Sequence, residues 1–206
     1  MKEIYLIRHG ESVGNAGKST DDHRTMPLTE SGWEQARTLA DRFTVLPELI
    51  AVSPFTRAQQ TSHPFQEKYP DVPVETWAET YEFTYLAPAT CRNTTAAERL
   101  PRVTEYWENC DPDYVDGDGA ESFKALVGRA NRTMAKLRER SEKRIFLFSH
   151  AMFITCCILL TKQPDLDWTN LMREFRQMSL LRNTELVHMK VNEVPVYDIN
   201  KRTCQD

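Results

Sequence analysis

The 206-residue chain has no excess of positive charge. Its 26 Lys and Arg stand against 30 Asp and Glu, a net charge of −4. That argues against a nucleic-acid binder working through bulk electrostatics, while leaving room for a local cationic pocket. It also lacks a long unbroken apolar run. The most apolar window, residues 145–160, is interrupted by Ser149-His150 and is short for a bilayer span, so no membrane partner is expected. Met1-Lys2-Glu3-Ile4 leads straight into a strand pattern, without the apolar region and cleavage site of a secretory leader. Cysteine is sparse and odd in number, five in all, with the adjacent pair Cys156-Cys157 inside an expected buried helix. Free core thiols, rather than a disulfide framework, fit a reducing cytoplasm. No internal repeat or low-complexity segment interrupts the chain. No compact set of carboxylates, histidines or cysteines has the usual ligand spacing, so neither a metal nor a cofactor is expected. The length suits a single domain, residues 1–206, that buries a full core.

What the chain does have is a set of apolar runs that stop at polar, chemically capable residues. Ile4-Tyr5-Leu6-Ile7 reads as a buried parallel strand and ends at Arg8-His9-Gly10-Glu11. Such strands deliver their C-terminal ends to the crevice where open α/β sheets bind ligands. His9 offers a largely neutral nitrogen nucleophile, Arg8 a fork of donors suited to phosphate, and Gly10 a close approach of backbone and ligand. Arg144-Ile145-Phe146-Leu147-Phe148-Ser149-His150 is a second such run, and Ala151 to Leu160 reads as a buried helix starting just after it. Two strands ending in histidine can bring both imidazoles to one sheet edge. A third apolar stretch breaks at Ser53-Pro54. The helix after it carries Phe55, Ala58, Ser62, Phe65 and Tyr69 on one face and places Arg57 in its first turn. A helix start also favours anions. Arg8, Arg57, His9 and His150 would thus converge on one small cationic site. The plainer alternatives are a chance tripeptide at residues 8–10, an ordinary surface ion pair for Arg57 and a satisfied core histidine at 150.

The remaining pattern alternates strands and helices. Thr29 caps a helix with Trp33, Ala36, Ala40 and Phe43 on its apolar stripe, ended by Pro47. Strands follow at Leu49 to Val52 and Val72 to Trp77. Residues 78–118 break the rhythm with Pro88, Pro101, Pro112, Gly117 and Gly119 around one helix, Ala96 to Asn109. This segment reads as a small cap over the C-terminal edge of the sheet. A long helix from Glu121 to Glu142 buries Phe123, Leu126, Val127, Ala130, Met134 and Leu137, with Glu121 in its first turn. A short helix at Asp167 to Glu174 precedes two strands, Gln177 to Leu181 and Glu185 to Val191, as an antiparallel hairpin at the edge. The expected fold is α/β: a three-layer α/β/α sandwich with a mainly parallel mixed sheet and a small cap insertion.

Arg8-His9-Gly10-Glu11-Ser12, Asn15, Pro27-Leu28-Thr29-Glu30-Ser31-Gly32 with Gln35-Ala36, Ser53-Pro54-Phe55-Thr56-Arg57-Ala58 and Ser149-His150 occur in that order along the chain. Together they resemble the histidine phosphatase superfamily, the group that includes cofactor-dependent phosphoglycerate mutases. The resemblance implies that His9 is phosphorylated and that Arg8, Arg57 and His150 hold the phosphoryl group. It also implies that Asn15 contacts phosphate and that a mid-chain carboxylate, best matched by Glu82, donates the proton. Two positions depart from the usual pattern. Thr80 stands where many members have leucine two residues before the acid. Ala151 stands where many have glycine after the second histidine, adding a methyl while leaving its backbone N–H for the phosphate.

Phosphoryl transfer calls for these residue types. It needs an in-line nucleophile and charge stabilisation on three equatorial oxygens. An imidazole attacks without a strong base, and Arg8, Arg57 and a protonated His150 supply cationic donors. Glu82 protonates the leaving group if burial and phosphate raise its pKa. Glu75 and Glu79 are its rivals; Phe83 and Tyr85 would bury the segment and favour Glu82. His23, His63 and His188 are expected at the surface, His23 with a chance of rimming the pocket. Tyr81, Phe83, Tyr85 and Leu86 hint at an apolar wall, and Arg92 and Arg99 at a second anion site or plain surface charge. The expected activity is a phosphomonoester hydrolase on a small phosphorylated substrate. A phosphoglycerate mutase-type phosphotransferase and a non-catalytic phosphate-binding protein are the alternatives, and oligomeric state stays open.

Overall fold

The computed structural model describes residues 2–19, 21–163 and 165–190. Five strands form one sheet in the order β3-β2-β4-β1-β5. β1 (Glu3–Arg8) and β4 (Arg144–Ser149) lie side by side and parallel, with Arg8 opposite Ser149, so the chain leaves both strands at the same level. β2 (Leu49–Val52) and β3 (Val74–Thr76) extend the parallel part. β5 (Leu186–Lys190) pairs antiparallel with the other side of β1.

Alternation along the strands divides the core into two layers, as a sheet covered on both faces requires. Ile4, Leu6, Leu49, Ala51, Ile145 and Leu147 pack against α5 (Phe123–Glu139), α6 (Ala151–Lys162) and α7 (Trp168–Gln177). Tyr5, Ile7, Ile50, Val52, Phe146 and Phe148 pack with Ala40 of α1 (Glu30–Arg42) and with Ala58 and Phe65 of α2 (Thr56–Lys68). This is the expected three-layer α/β/α fold. Thr29 caps α1 by accepting from the Gly32 N–H. Among the described residues no helix is long and apolar enough to cross a membrane.

Between β3 and α5 the chain forms a 3₁₀ turn (Ala78–Thr80), an extended strap, the four-residue α3 (Pro88–Cys91) and α4 (Ala96–Asn109). α4 has the expected bounds, and its start is a reciprocal capping box between Thr95 and Glu98. Phe83 and Tyr85 of the strap join Tyr106, Trp107 and Phe175 in one aromatic cluster, which fastens the strap and α4 to the α7 side of the core.

Three expectations need correction. Residues 177–181 form no strand: α7 runs on to Gln177, Met178 closes it, and residues 179–181 are irregular, with the Leu181 carbonyl taken by Arg8. There is therefore no hairpin, and β5 alone supplies the antiparallel edge; Val191 lies outside the described residues. Glu121 is not in the first turn of α5. Ser122 caps that helix by accepting from the Ala125 N–H, and Glu121 turns back to pair with the buried Arg129. Gly10 meets the protein, not a ligand: a Cβ there would lie 2.5 Å from the Gly32 carbonyl oxygen, and one on Gly32 would lie 2.0 Å from that of Glu11. The two glycines let the loop after β1 pass over the start of α1.

Candidate active site

His9 and His150 follow the paired ends of β1 and β4, and their rings lie 5.2 Å apart, edge to face. His9 is 3 % exposed and His150 fully buried. The His9 Nδ1 lies 2.6 Å from the Gly10 carbonyl oxygen, which only a protonated Nδ1 can satisfy. Nε2 therefore keeps its lone pair, and it accepts the Arg57 Nε–H at 3.0 Å. Arg57, in the first turn of α2, also donates through Nη1 to the His23 carbonyl at 2.6 Å. Arg8 at the end of β1 donates Nη1 to the Leu181 carbonyl, while its buried Nε has no partner. His150 Nε2 pairs with Ser53 Oγ at 2.7 Å, leaving its buried Nδ1 without one. Both atoms are buried, so the loss of their contact with water is not offset by a hydrogen bond within the protein.

Charge on this floor is displaced as burial dictates. His9 and His150 are both held well below the usual imidazole value, first by burial and then by the neighbouring Arg57. Burial lowers Arg57 to about 10, against the opposing pull of Glu82. Burial thus favours the neutral form of His150, whereas the sequence reading has it protonated against a bound phosphoryl group. A bound phosphate would supply the counter-charge that reverses the preference.

Above the floor opens a cleft of about 200 Å³ lined by Arg57 and Glu82, by Phe83, Tyr85 and Leu86 of the strap, by Pro88 of α3, and by His23 and Met26. The Glu82 carboxylate accepts N–H bonds from Phe83 at 2.9 Å, Phe153 at 3.2 Å and Met152 at 3.4 Å, the last two from the start of α6. The rival carboxylates point elsewhere. Glu79 pairs with Arg132 on the exposed face of α5, and Glu75 pairs with Arg140. Ala151 is buried as the first residue of α6, directly after His150. Asn15 is more remote: its Oδ1 accepts from Ser12 and from Asn183, whose Nδ2 also donates to the His9 carbonyl at 3.1 Å. Tyr81 does not line the cleft; its ring lies 3.7 Å from the Arg129 guanidinium. Arg99 does line it, while Arg92 pairs with Asp21. His63 and His188 are exposed as expected, but His23 lines the cleft.

Several supporting residues carried no sequence signal of their role. Thr61 accepts the Gly10 N–H at 3.0 Å and donates to the Arg57 carbonyl at 2.6 Å, coupling the β1 loop to α2. Ser53 and Asn183 hold His150 and His9 from loops distant in the chain. Among the described residues no group of three or more His, Cys, Asp or Glu is placed to hold a metal ion.

A strand-end pair of histidines, the half-buried Arg8, the buried Arg57 and the Glu82 carboxylate gather at one edge of an α/β/α sheet. Residues 4–193 match the histidine phosphatase superfamily (branch 1), and the chain belongs to that family. It is 28% identical over 160 residues to the probable phosphoglycerate mutase GpmB of Enterobacter sp., covering 77% of this chain and 74% of that one. It is also 28% identical over 174 residues to the adenosylcobalamin/alpha-ribazole phosphatase of Salmonella typhimurium, covering 80% and 83%. The crystal structure of the alpha-ribazole phosphatase from Shigella flexneri shares its fold with a TM-score of 0.71 at 22% identity, over 91% of this chain and 90% of that one.

Proposed function

We propose that this chain is a phosphomonoester hydrolase that works through a phosphohistidine on His9. The observation that carries the reading is the His9 tautomer: its Nδ1–H is committed to the Gly10 carbonyl, and the Nε2 lone pair faces Arg57. In the first step Nε2 attacks phosphorus, the P–O ester bond breaks, and Glu82 gives its proton to the leaving oxygen. In the second, water attacks phosphorus, Glu82 takes its proton, and the P–N bond electrons return to Nε2. Arg8 and Arg57 stabilise the equatorial oxygens throughout, joined by His150 through Nδ1 and by the Ala151 N–H. Asn15 contacts the phosphate from the side of the Asn183 bridge.

A mutase reading is the alternative, favoured by the relatives that bear that name. Hydrolysis is preferred because the cleft beside Glu82 opens on the surface and the phosphatase relative aligns over a larger share of both chains. The same reading takes residues 1–206 as one domain with 78–118 as its cap, and the substrate as a small phosphorylated molecule. The free Cys91, Cys110, Cys156 and Cys157 fit a cytoplasmic setting.

The test is rapid quenching with a ³²P-labelled aryl phosphate, mapping of the acid-labile label, and parallel assays for free phosphate and for primed mutase turnover. Label on His9 with stoichiometric phosphate release is expected, and His9→Ala should show neither. Mutase turnover without net phosphate release would replace the hydrolase reading. Tight phosphate binding without any turnover would replace both with a binding protein.

A further inference from the structure

Arg99 stands out among the charged groups around the cleft because it forms no salt bridge among the described residues. Arg57 belongs to the phosphoryl floor, and Glu82 is bound by three backbone N–H groups. Asp21 is already paired with Arg92 at 3.3 Å, and burial lowers the pKa of His23, which favours its neutral form. Arg99 makes no ion pair among the described residues. Its Nη1 donates to the Thr94 carbonyl at 2.7 Å and to the Thr94 hydroxyl at 2.9 Å, a tether that holds the guanidinium at the cleft wall. Nε and Nη2 make no bond to the described protein.

Helix stability does not account for this placement. Arg99 lies in the opening turns of α4, where the positive end of the helix dipole disfavours a cation. The adjacent Glu98 gives it no partner, because its carboxylate is spent on the Thr95 N–H and hydroxyl in the capping box. An uncompensated, half-buried cation near a helix start, tethered into a cleft, carries a local cost that an anionic ligand would offset.

We propose that Arg99 is a specificity-determining residue that binds a second anionic group on the substrate. The preferred substrates are then compact phosphomonoesters whose leaving group carries a carboxylate or another anion. This rests on the reading of the His9–Arg57 floor as the phosphoryl site. The cleft is small, about 200 Å³, which suits a short leaving group. Met26, Leu86 and Pro88 line the same cleft and offer an apolar wall to the connecting carbon chain.

Non-hydrolysable ω-phosphonocarboxylates of increasing spacer length, each set beside its neutral amide, test this by calorimetric titration independently of turnover. At the spacer that fits, the carboxylate should bind about tenfold tighter than the amide, the size of one charge-assisted hydrogen bond. Arg99→Gln should bring the carboxylate down to the level of the amide, and Arg99→Lys should restore part of the preference. Equal binding of acid and amide at every spacer overturns the proposal, as does a preference that survives in Arg99→Gln or a failure of every phosphonate to bind. Phosphate release assayed alongside separates the two ideas. A chain that hydrolyses phosphomonoesters without the acid preference loses only the Arg99 assignment, and one with the preference but no hydrolysis loses only the hydrolase reading.

Discussion

At the residue scale, the proposed chemistry depends on which carboxylate reaches the leaving group. Glu82 is held over the floor by N–H groups from α6 and from its own strap, whereas Glu79 spends its charge on the exposed Arg132. General acid catalysis contributes about 10²–10⁴-fold, and most of that is needed when the leaving alkoxide is poor. Glu82→Gln keeps an oxygen acceptor for the backbone donors but has no proton to give. It should slow alkyl phosphates by about 10²–10⁴-fold while barely changing the phosphorylation step with 4-nitrophenyl phosphate. Glu79→Gln should leave both rates near the wild-type values. Steady-state and single-turnover rates across a leaving-group series decide between them. If Glu79→Gln shows the leaving-group dependence and Glu82→Gln does not, the proton donor has been misassigned.

At the scale of elements, the strap that carries Glu82 is held by a buried ion pair. Arg129 of α5 donates to the Glu79 and Tyr81 carbonyls at 2.9 and 2.7 Å, and its guanidinium is bound twice by Glu121. Glu121 in turn accepts from the Thr84 N–H and the Tyr81 hydroxyl. Removing one partner leaves a charge buried and unpaired, at a cost of about 3–5 kcal/mol. Arg129→Met should therefore lower the denaturant midpoint sharply, and its surviving folded fraction should lose activity on poor leaving groups more than on 4-nitrophenyl phosphate. A variant of unchanged midpoint would contradict the role given to the pair. Gly32→Ala should also destabilise, by about 1–3 kcal/mol, because its Cβ would meet backbone that has no rotamer with which to yield. Unfolding curves that coincide with wild type would remove that constraint. These two features also mark where sequence reading stops. α1 was legible because Thr29 is a local cap, α4 because it is the one helical stretch among the prolines and glycines of residues 78–118, and β1 and β4 because buried parallel strands are continuous apolar runs that end at Arg8 and His150. The role of Glu121 was not, since its partner lies two turns along α5 and its other contacts come from the strap. Residues 177–181 misled because an apolar pair beside polar residues also suits a helix end, and that helix end then gives a carbonyl to Arg8. Four of the five main site residues announced themselves at strand or helix ends, whereas Ser53, Thr61 and Asn183 support them through contacts between distant loops that leave no periodicity to read.

At the scale of the whole molecule, the site ties stability to pH. His9 and His150 are kept neutral in the fold by burial and by Arg57, with His23 lowered to a lesser degree, whereas in the unfolded chain all three return to values near 6.5. Below that pH the unfolded chain takes up protons that the folded site refuses. The stabilisation is thus complete above about pH 6.5 and is lost as pH falls below it, until the depressed folded-state values are reached. Within that window each histidine contributes a slope of about 1.4 kcal/mol per pH unit. Carboxylates held low in the fold, among them Glu75 and Glu142, have an ordinary value of 4.5 in the unfolded chain, so they begin to lose their contribution only at lower pH. Denaturant unfolding between about pH 7.5 and about pH 5 should therefore report the histidines first. The His150→Gln variant should lose one histidine's share of the slope. Saturating inorganic phosphate should flatten the profile further, because an anion on the floor favours protonated imidazole and draws protons into the folded state. Proton uptake on phosphate binding, measured calorimetrically in buffers of different ionisation enthalpy, gives the same quantity by a second route. Stability that stays level from neutral pH down to the carboxylate range, with phosphate binding that moves no proton, would mean that the two imbalances assigned to His9 and His150 are not there.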